Sequence, residues 1–577
     1  MVANFFKKRF IASNISLMRF DRTKLVQNFQ RDRSWLSTTI HAPNSYDEKT
    51  KRNENYKTKQ KSKMIDFNNA QLAHATKLNI DLIRSLFVYK VCQIPFIVNN
   101  ASSLLSLSNK LLGMRLTNSI IKNTFFDQFC AGEDVISIQS KMTTLKKNGI
   151  EAIFDYAAEN DSNNDLLQND FQLLKSRPYN QPARIYDYKS EKQCNSHMNT
   201  FKSCIKAAAK VSPNGKSFAA VKVTALGNPI LLERCSNAIN QIKGLFVEFD
   251  VNNDGILTRT EFEDGFHHLF YDSTESLLPA LLEKLDPNNT RTINYIEFSR
   301  LFTPSLLPKL TSKLRNTDSE LYRCTLTPEE IQMLESMYAR AHSLSKLAFE
   351  SNVRLLFDAE QTFYQPAIDS LVLSMQETFN DIKKTDIPVI FHTYQCYLKD
   401  TLVKLNTDLE RSKRFSYHFG AKLVRGAYMN TERERAETGM YESPVHDCIE
   451  DTHKCYDQAI KHLLKYEKQK SLINVEIMCA THNQESIEKA LKCGEELGTD
   501  NNVLHFAQLL GMSDNITYPL GQNGSKVYKY APFGKVHEVI PYLLRRLEEN
   551  GNVFSNAKQE EEMVLKEMRR RITYLFR

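Results

Sequence analysis

The chain has 577 residues, 41% of them hydrophobic, with one Trp, 18 Gly and 11 Cys. This is apolar enough for a sizeable core, too poor in Gly and Trp for collagen or propeller repeats, and long enough for a barrel with insertions. The formal charge of +8 is concentrated in residues 1–63, with 15 Lys/Arg against 5 Asp/Glu; the remainder carries 61 against 63. A nearly neutral body excludes a nucleic-acid-binding face of the usual electrostatic kind.

The cysteines are scattered singly, without CxxC or paired zinc spacing, as expected of reduced thiols in a reducing compartment. The first forty residues mix 8 basic and 2 acidic residues with Ser, Thr and short apolar stretches. That is the composition of a mitochondrial transit peptide rather than of a secretory signal. Residues 45–63, SYDEKTKRNENYKTKQKSK, read as a solvated linker, so 1–63 stand apart from the fold. Residues 64–148 predict a helical region. Its most apolar stretch, LIRSLFVYKVCQIPFIVNN at 82–100, is interrupted by Lys90 and ends in two Asn, which suits a packed or membrane-surface helix better than a span.

From residue 149 the pattern changes to short apolar runs separated by helical stretches. They are GIEAIFDYAAE (149–159), SFAAVKVTAL (217–226), NVRLLFDAEQ (352–361), IPVIFHTYQ (387–395), FGAKLVRGAY (419–428), INVEIMCATHN (473–483), NVLHFAQLLGM (502–512) and SKVYKYAPFG (525–534). Near-continuous strands alternating with helices predict an α/β fold with a parallel sheet, and eight such units predict a (βα)8 barrel over 149–555. Function in such a barrel sits at the C-terminal strand ends, where Asp155, Lys222, Asp358, Gln395, Arg425, His482 and Tyr530 cluster. A doubly wound sheet is the second architecture, although no GxGxxG follows any strand.

About 125 residues separate strands two and three, far more than the roughly 20–40 that a crossover needs. A segment at about 238–305 is therefore read as inserted. It contains DVNNDGILTRTE, with the pattern of an EF-hand calcium loop: Asp250, Asn252, Asp254, the Ile256 carbonyl, Thr258 and Glu261 as oxygen ligands, and Gly255 at the turn. A second loop, DPNNTRTINYIE at 286–297, has Thr290 and Arg291 where a carboxylate and the turn glycine belong, and is read as an empty structural partner. Near the end, Tyr542, Arg545, Arg546 and Glu549 in PYLLRRLEENGNVF share one helical face. The arginine pair suits a carboxylate or phosphate, and equally a solvated charged helix. A basic tail, 556–577, follows.

The blocks AVKVTALG, RLLFDAEQTFYQPAI, TYQCYLKDTL, AKLVRGAY, ATHN, QLLGM and VYKYAPFG…PYLLRRLEEN, in this order, resemble the mitochondrial proline dehydrogenases. The resemblance runs from about residue 66 to 555, interrupted by the insertion. It implies a distorted (βα)8 TIM-type barrel carrying FAD, first enzyme of proline catabolism, which yields 1-pyrroline-5-carboxylate and passes electrons to ubiquinone at the matrix side of the inner mitochondrial membrane. By the same resemblance Arg545 and Arg546, with Lys222, would clamp the proline carboxylate. Tyr530, Leu509 and Tyr542 would shape the ring pocket, Asp358 would lie beside substrate and flavin, and Glu159 would pair with Arg545 as a gate. FAD would touch His392, Gln395, Lys422, Val424, Arg425, Gly426, Ala427 and Tyr428 on strands four and five, then Thr481, His482 and Asn483 after strand six, and Glu549.

Bacterial members of that family have Arg at position 422 and Lys at 425, so either Lys422 or Arg425 could be the base nearest the flavin; His392 stands where an amide is usual. Candidate membrane contacts are the helix at 82–98 and the RRRITYLFR end. Two other readings are weaker. A calcium-binding adaptor with an inactive barrel is at odds with the presence of Lys222, Asp358, Tyr530, Arg545 and Arg546. A glycosidase using Asp358 and Glu360 would need opposed carboxylates, which neighbours two apart on a strand end do not provide.

Overall fold

The computed structural model describes residues 65–157, 160–161, 184–185, 188–215, 217–271, 277–469, 472–500, 502–552 and 554–575. Eight strands are β1 (Ile150–Tyr156), β2 (Phe218–Val221), β3 (Arg354–Phe357), β4 (Ile390–Gln395), β5 (Phe419–Val424), β6 (Val475–Ala480), β7 (Leu504–Leu509) and β8 (Lys526–Phe533). Each lies inside one of the eight apolar runs. All pair in parallel, in chain order, and β8 closes on β1 to complete the barrel. The runs are apolar throughout because the interior covers one face of each strand and helices cover the other.

Alternation along the strands decides which residues enter the barrel. Ile153, Phe218, Leu356, Phe391, Met478 and Tyr528 form its packed interior. At the N-terminal strand ends Arg354 bonds Glu476 at 2.5 and 3.2 Å, and His505 Nε2 lies 2.7 Å from the same carboxylate. This buried, paired cluster plugs the bottom, so the mouth at the C-terminal ends is left for chemistry.

Helix α1 (Asn79–Cys92), a short turn of helix at Pro95–Asn99 and α2 (Ala101–Ile121) precede the barrel; α3 (Ile540–Asn552) and α4 (Phe554–Leu575) follow it. The segment 556–577, expected as a basic tail, is for most of its length this last helix. Helix α4 runs antiparallel to α1: Arg571 Nη1 donates to Lys77 O at 2.8 Å at one end, and Gln93 Nε2 to Glu561 at 2.6 Å at the other. Behind them, buried Asp514 is bridged by Lys77 and Lys529, each at 2.8 Å.

The inserted residues form a compact unit, Ala238–Thr325. It extends beyond the expected 305 because Leu307, Leu310, Leu314 and Leu321 belong to its own core, with Phe246, Phe262 and Phe298. Two helix–loop–helix segments are joined through a short antiparallel pair, Ile256–Thr258 with Thr292–Asn294. In the first loop Gly255 has φ +83; in the second Arg291 keeps a left-handed φ of +62 where glycine would be unstrained. The turn geometry survives the substitution.

Candidate functional site

The alternation that packs Leu356 and Tyr528 inside the barrel carries the inward face two residues further, to Asp358 and Tyr530 at the mouth. Lys422, inward on β5, meets them. Its Nζ lies 2.5 Å from Asp358 Oδ1, the Tyr530 hydroxyl donates to Asp358 Oδ2 at 2.7 Å, and the ammonium sits 5.2 Å from the Tyr530 ring centre. Asp358 and Lys422 are both buried. Removing either partner would strand a buried charge, at a cost of about 3–5 kcal/mol. The structure thus brings together Asp358 and Tyr530, which the sequence placed at two strand ends, and Lys422, which only the resemblance named.

Lys222 is buried at the end of β2. The turn that carries it is held by Glu360, which accepts from Thr224 N at 3.1 Å and Thr224 Oγ1 at 2.7 Å, while Gln395 Nε2 donates to the Glu360 carbonyl at 2.8 Å. Glu360 therefore stitches the ends of β2, β3 and β4, a structural duty rather than the acid of a glycosidase pair. Next to it, Gln361 is 1% exposed and both of its side-chain amide atoms lack a partner. Buried polar atoms are rarely left unpaired, so Gln361 joins the candidate residues; no motif in the sequence singled it out.

At β5 the two basic residues point in different directions. Arg425 turns outward and is fully engaged. It donates to Thr481 Oγ1 at 2.6 Å, Ser486 Oγ at 2.9 Å and His453 Nδ1 at 3.0 Å, above the Tyr456 ring. Lys422, not Arg425, is the basic group inside the mouth. Val424 is half-buried, and Gly426 and Ala427 form the exposed rim, with Tyr428 buried behind. Gly426 has φ +136, and a Cβ there would come 2.2 Å from the Tyr397 ring. Asn483 caps the helix after β6 through Ser486 N at 2.9 Å.

His482 accepts from Leu509 N at 3.1 Å, which fixes the end of β7. Burial, and then the cations Lys529, Arg546 and Arg425, bring its pKa down to about 3. The ring is a neutral acceptor in a cationic neighbourhood, a setting for an anionic ligand.

His392 corrects the sequence reading. Phe391 enters the barrel, so His392 leaves it, and its Nε2 lies 2.9 Å from Asp369 Oδ1, which Lys404 also pairs at 2.6 Å. The ring is packed among helices outside the barrel and does not line the mouth. Period-two alternation alone could have shown this.

Helix α3 buries Tyr542, Leu543 and Leu547 against Ala157, which follows β1, and against Phe129 and Val88. Arg545 and Arg546, three and four residues on, flank Tyr542 on the adjoining part of the same helix surface. Arg546 is 7% exposed, its guanidinium lies 4.8 Å from the Tyr542 ring centre, and it pairs with Glu549. Arg546 Nε and the Tyr542 hydroxyl are buried without partners. Arg545 lies 5.9 Å from the same ring. Glu159 is outside the described residues.

In the inserted unit, Asp250 accepts from Asp254 N at 3.1 Å and Gly255 N at 2.9 Å, the arrangement that folds such a loop. Glu261 accepts from Thr258 N and Oγ1, both at 2.8 Å. Among the described residues no three acidic, His or Cys side chains are gathered as a metal site.

A closed, parallel eight-stranded barrel with a lysine–aspartate–tyrosine centre at its mouth places the chain among the (βα)8-barrel enzymes. A family model described as proline dehydrogenase matches residues 138–559. "Proline dehydrogenase 1, mitochondrial" of Homo sapiens is 36% identical over 562 residues, covering 88% of this chain and 90% of its own, and that of Caenorhabditis elegans is 32% identical over 553 residues, covering 88% and 89%. The chain belongs to the proline dehydrogenase family, and its activity is proline oxidation, the first step of proline catabolism. A crystal structure of proline utilization A from Bdellovibrio bacteriovorus, inactivated by N-propargylglycine, shares the fold with a TM-score of 0.50 at 16% identity. That alignment covers 84% of this chain and 38% of the other.

Proposed function

We propose that this chain is a mitochondrial, FAD-dependent L-proline:ubiquinone oxidoreductase that works from the matrix surface of the inner membrane. The observation that supports it most is the inward lysine, Lys422, bonded to Asp358 and Tyr530 at the mouth. A flavin fits these residues. Lys422 supplies a cation for an isoalloxazine edge, Gln361 has an unpartnered amide, and the rim at Gly426 and Ala427 is open. When bound, the flavin supplies the hydride acceptor. Gln395, Lys422 and Val424, with the rim from Gly426 to Tyr428 and Thr481 to Asn483, are the residues that would hold it.

Substrate is held by its carboxylate. Arg546, with an unpartnered Nε, together with Arg545 and Lys222, would bind it. The clamp orients the ring carbon next to nitrogen, while Leu509, Tyr530 and Tyr542 enclose the ring. Two electrons and one proton leave that carbon as hydride, the second proton leaves the ring nitrogen to solvent, and 1-pyrroline-5-carboxylate results. Tyr530 would crowd a ring hydroxyl, so proline is preferred over hydroxyproline. An absorbance scan of purified protein tests the reading: a flavin spectrum bleached by proline is expected, and a colourless protein would overturn it.

The inserted unit suggests a modulator. Calcium at Asp250, Asn252, Asp254, the Ile256 carbonyl, Thr258 and Glu261 would require Glu261 to exchange Thr258 for the metal. In the second loop the position-one carboxylate, Asp286, makes the same amide contacts as Asp250, but Thr290 and Arg291 stand where a carboxylate and the turn glycine belong. One calcium per chain is therefore expected by calorimetry, and none in Asp250→Asn.

A further inference from the structure

Helix α1 is apolar on two sides. Its inner stripe, Leu82, Tyr89 and Cys92, is buried. Its outer stripe, Ile80, Ile83 and Phe87, repeats at helical spacing and is exposed, as is Leu78 before it. Helix α2, which kinks at Gly113 where φ is +77, is barer still. Only Thr117 of its 21 residues is buried, while Leu107, Leu111, Met114 and Leu116 are at least half exposed. Exposed apolar residues gathered in this number are ordinarily covered by something.

Three further facts identify the cover. Between residues 76 and 122 there are six basic residues and one acidic, Asp81. Lys77, Arg84, Lys90 and Lys122 are ion-paired within the fold, to Asp514, Asp81 with Asp127, Glu561 and Glu133 in turn. Exposed Lys110 and Arg115 of α2 therefore give this face its positive charge. The end of α4, with exposed Ile572, Tyr574, Arg569 and Arg570, is tied to the start of α1, because Arg571 donates to Asn79 Oδ1 at 2.9 Å and His74 O at 3.0 Å. No helix among the described residues is long and apolar enough to cross a membrane. A second copy would set this basic surface against itself; anionic headgroups complement it.

We propose that the outer faces of α1 and α2 and the end of α4 form one docking surface that lies in the headgroup layer of an anionic phospholipid bilayer. This deepens the membrane reading given above and locates it. The two segments that the sequence suggested separately, 82–98 and the C-terminus, become parts of one surface.

The test uses the full-length flavoprotein and flotation with vesicles of phosphatidylcholine alone or mixed with phosphatidylglycerol. Binding to the mixed vesicles, weakened by salt, is expected. Leu111→Glu/Leu112→Glu and, on a separate helix, Ile83→Glu/Phe87→Glu should each lower the partition constant by about a hundredfold or more. Leu472→Glu, an equally exposed residue outside the surface, should not. Unchanged flotation of both double variants overturns the proposal. So does a wild type that ignores vesicles, whether it is a monomer or a dimer that Leu111→Glu/Leu112→Glu dissociates. Proline-dependent bleaching of the flavin is measured in parallel; its absence from wild type would overturn the enzymatic reading, whatever the flotation shows.

Discussion

Tyr530→Phe removes one oxygen and leaves the ring in place. That oxygen donates to a buried, ion-paired carboxylate across 2.7 Å, a bond worth about 1.5–3 kcal/mol. If it fixes Asp358, and through it Lys422, kcat/KM for proline should fall by a factor on the order of 10 to 100. Asp358→Asn, which strips the charge from Lys422, should cost more. The double variant is decisive, because a hydroxyl that acts through the carboxylate has nothing left to do in Asp358→Asn. A coupling energy of about 1–3 kcal/mol is expected between the two sites. The assay is dye-linked oxidation at varied proline, with flavin content measured by absorbance on each variant, so that lost cofactor is separated from lost turnover. Additive losses would refute the claim that Tyr530 works through Asp358.

Arg546→Lys keeps a positive charge but loses the planar fork and its place over the Tyr542 ring; KM for proline should rise about 10- to 100-fold with little change in thermal stability. Gly426→Ala drives a methyl into the Tyr397 ring at a left-handed φ and should cost more than about 2 kcal/mol, seen as reduced flavin retention and melting temperature. His482 has a folded pKa below its ordinary 6.5, so the unfolded chain binds more protons there. Its contribution is present above about pH 6.5 and is lost as pH falls toward 3, on the order of 5 kcal/mol in all. Urea midpoints at pH 7 and pH 4.5 should therefore diverge more for wild type than for His482→Asn. Glu261→Gln should weaken calcium binding at least tenfold by calorimetry; equal affinity would remove Glu261 from the site.

The barrel was legible because its strands are buried on both faces, which writes them as eight continuous apolar runs. The insertion was legible from the length of one crossover. The same continuity hid side-chain direction. His392, within β4, and Arg425, just past β5, lie close in sequence to inward-facing residues, and only their register against Phe391 and Lys422 shows that they face outward. The arginine pair on α3 could not be told from a solvated helix by charge spacing, since what distinguishes it is the burial of Arg546 beside Tyr542 on a helix packed against Ala157 and Phe129. Gln361 ends the run NVRLLFDAEQ but its residue type pointed to no role; an amide becomes informative only when its surroundings leave it unpaired. The inserted unit ran past its expected end because leucines at 307–321 complete its core.

The pairing of α1 with α4 also bears on how the molecule is made. Arg571 bonds the backbone of Lys77 across 494 residues of sequence, so the first helix of the body waits for the last before its inner face is covered. Until then Leu82 and Tyr89, and the ion pair that Lys77 makes with Asp514, face an unfinished surface. Loops of that length close slowly, and the outer stripe of α1 is apolar too. A chain arrested or truncated before residue 554 would expose both sides of this helix at once, which makes the C-terminal helix a checkpoint for completeness: aggregation, rather than a slightly less active enzyme, is the natural fate of products that lack it.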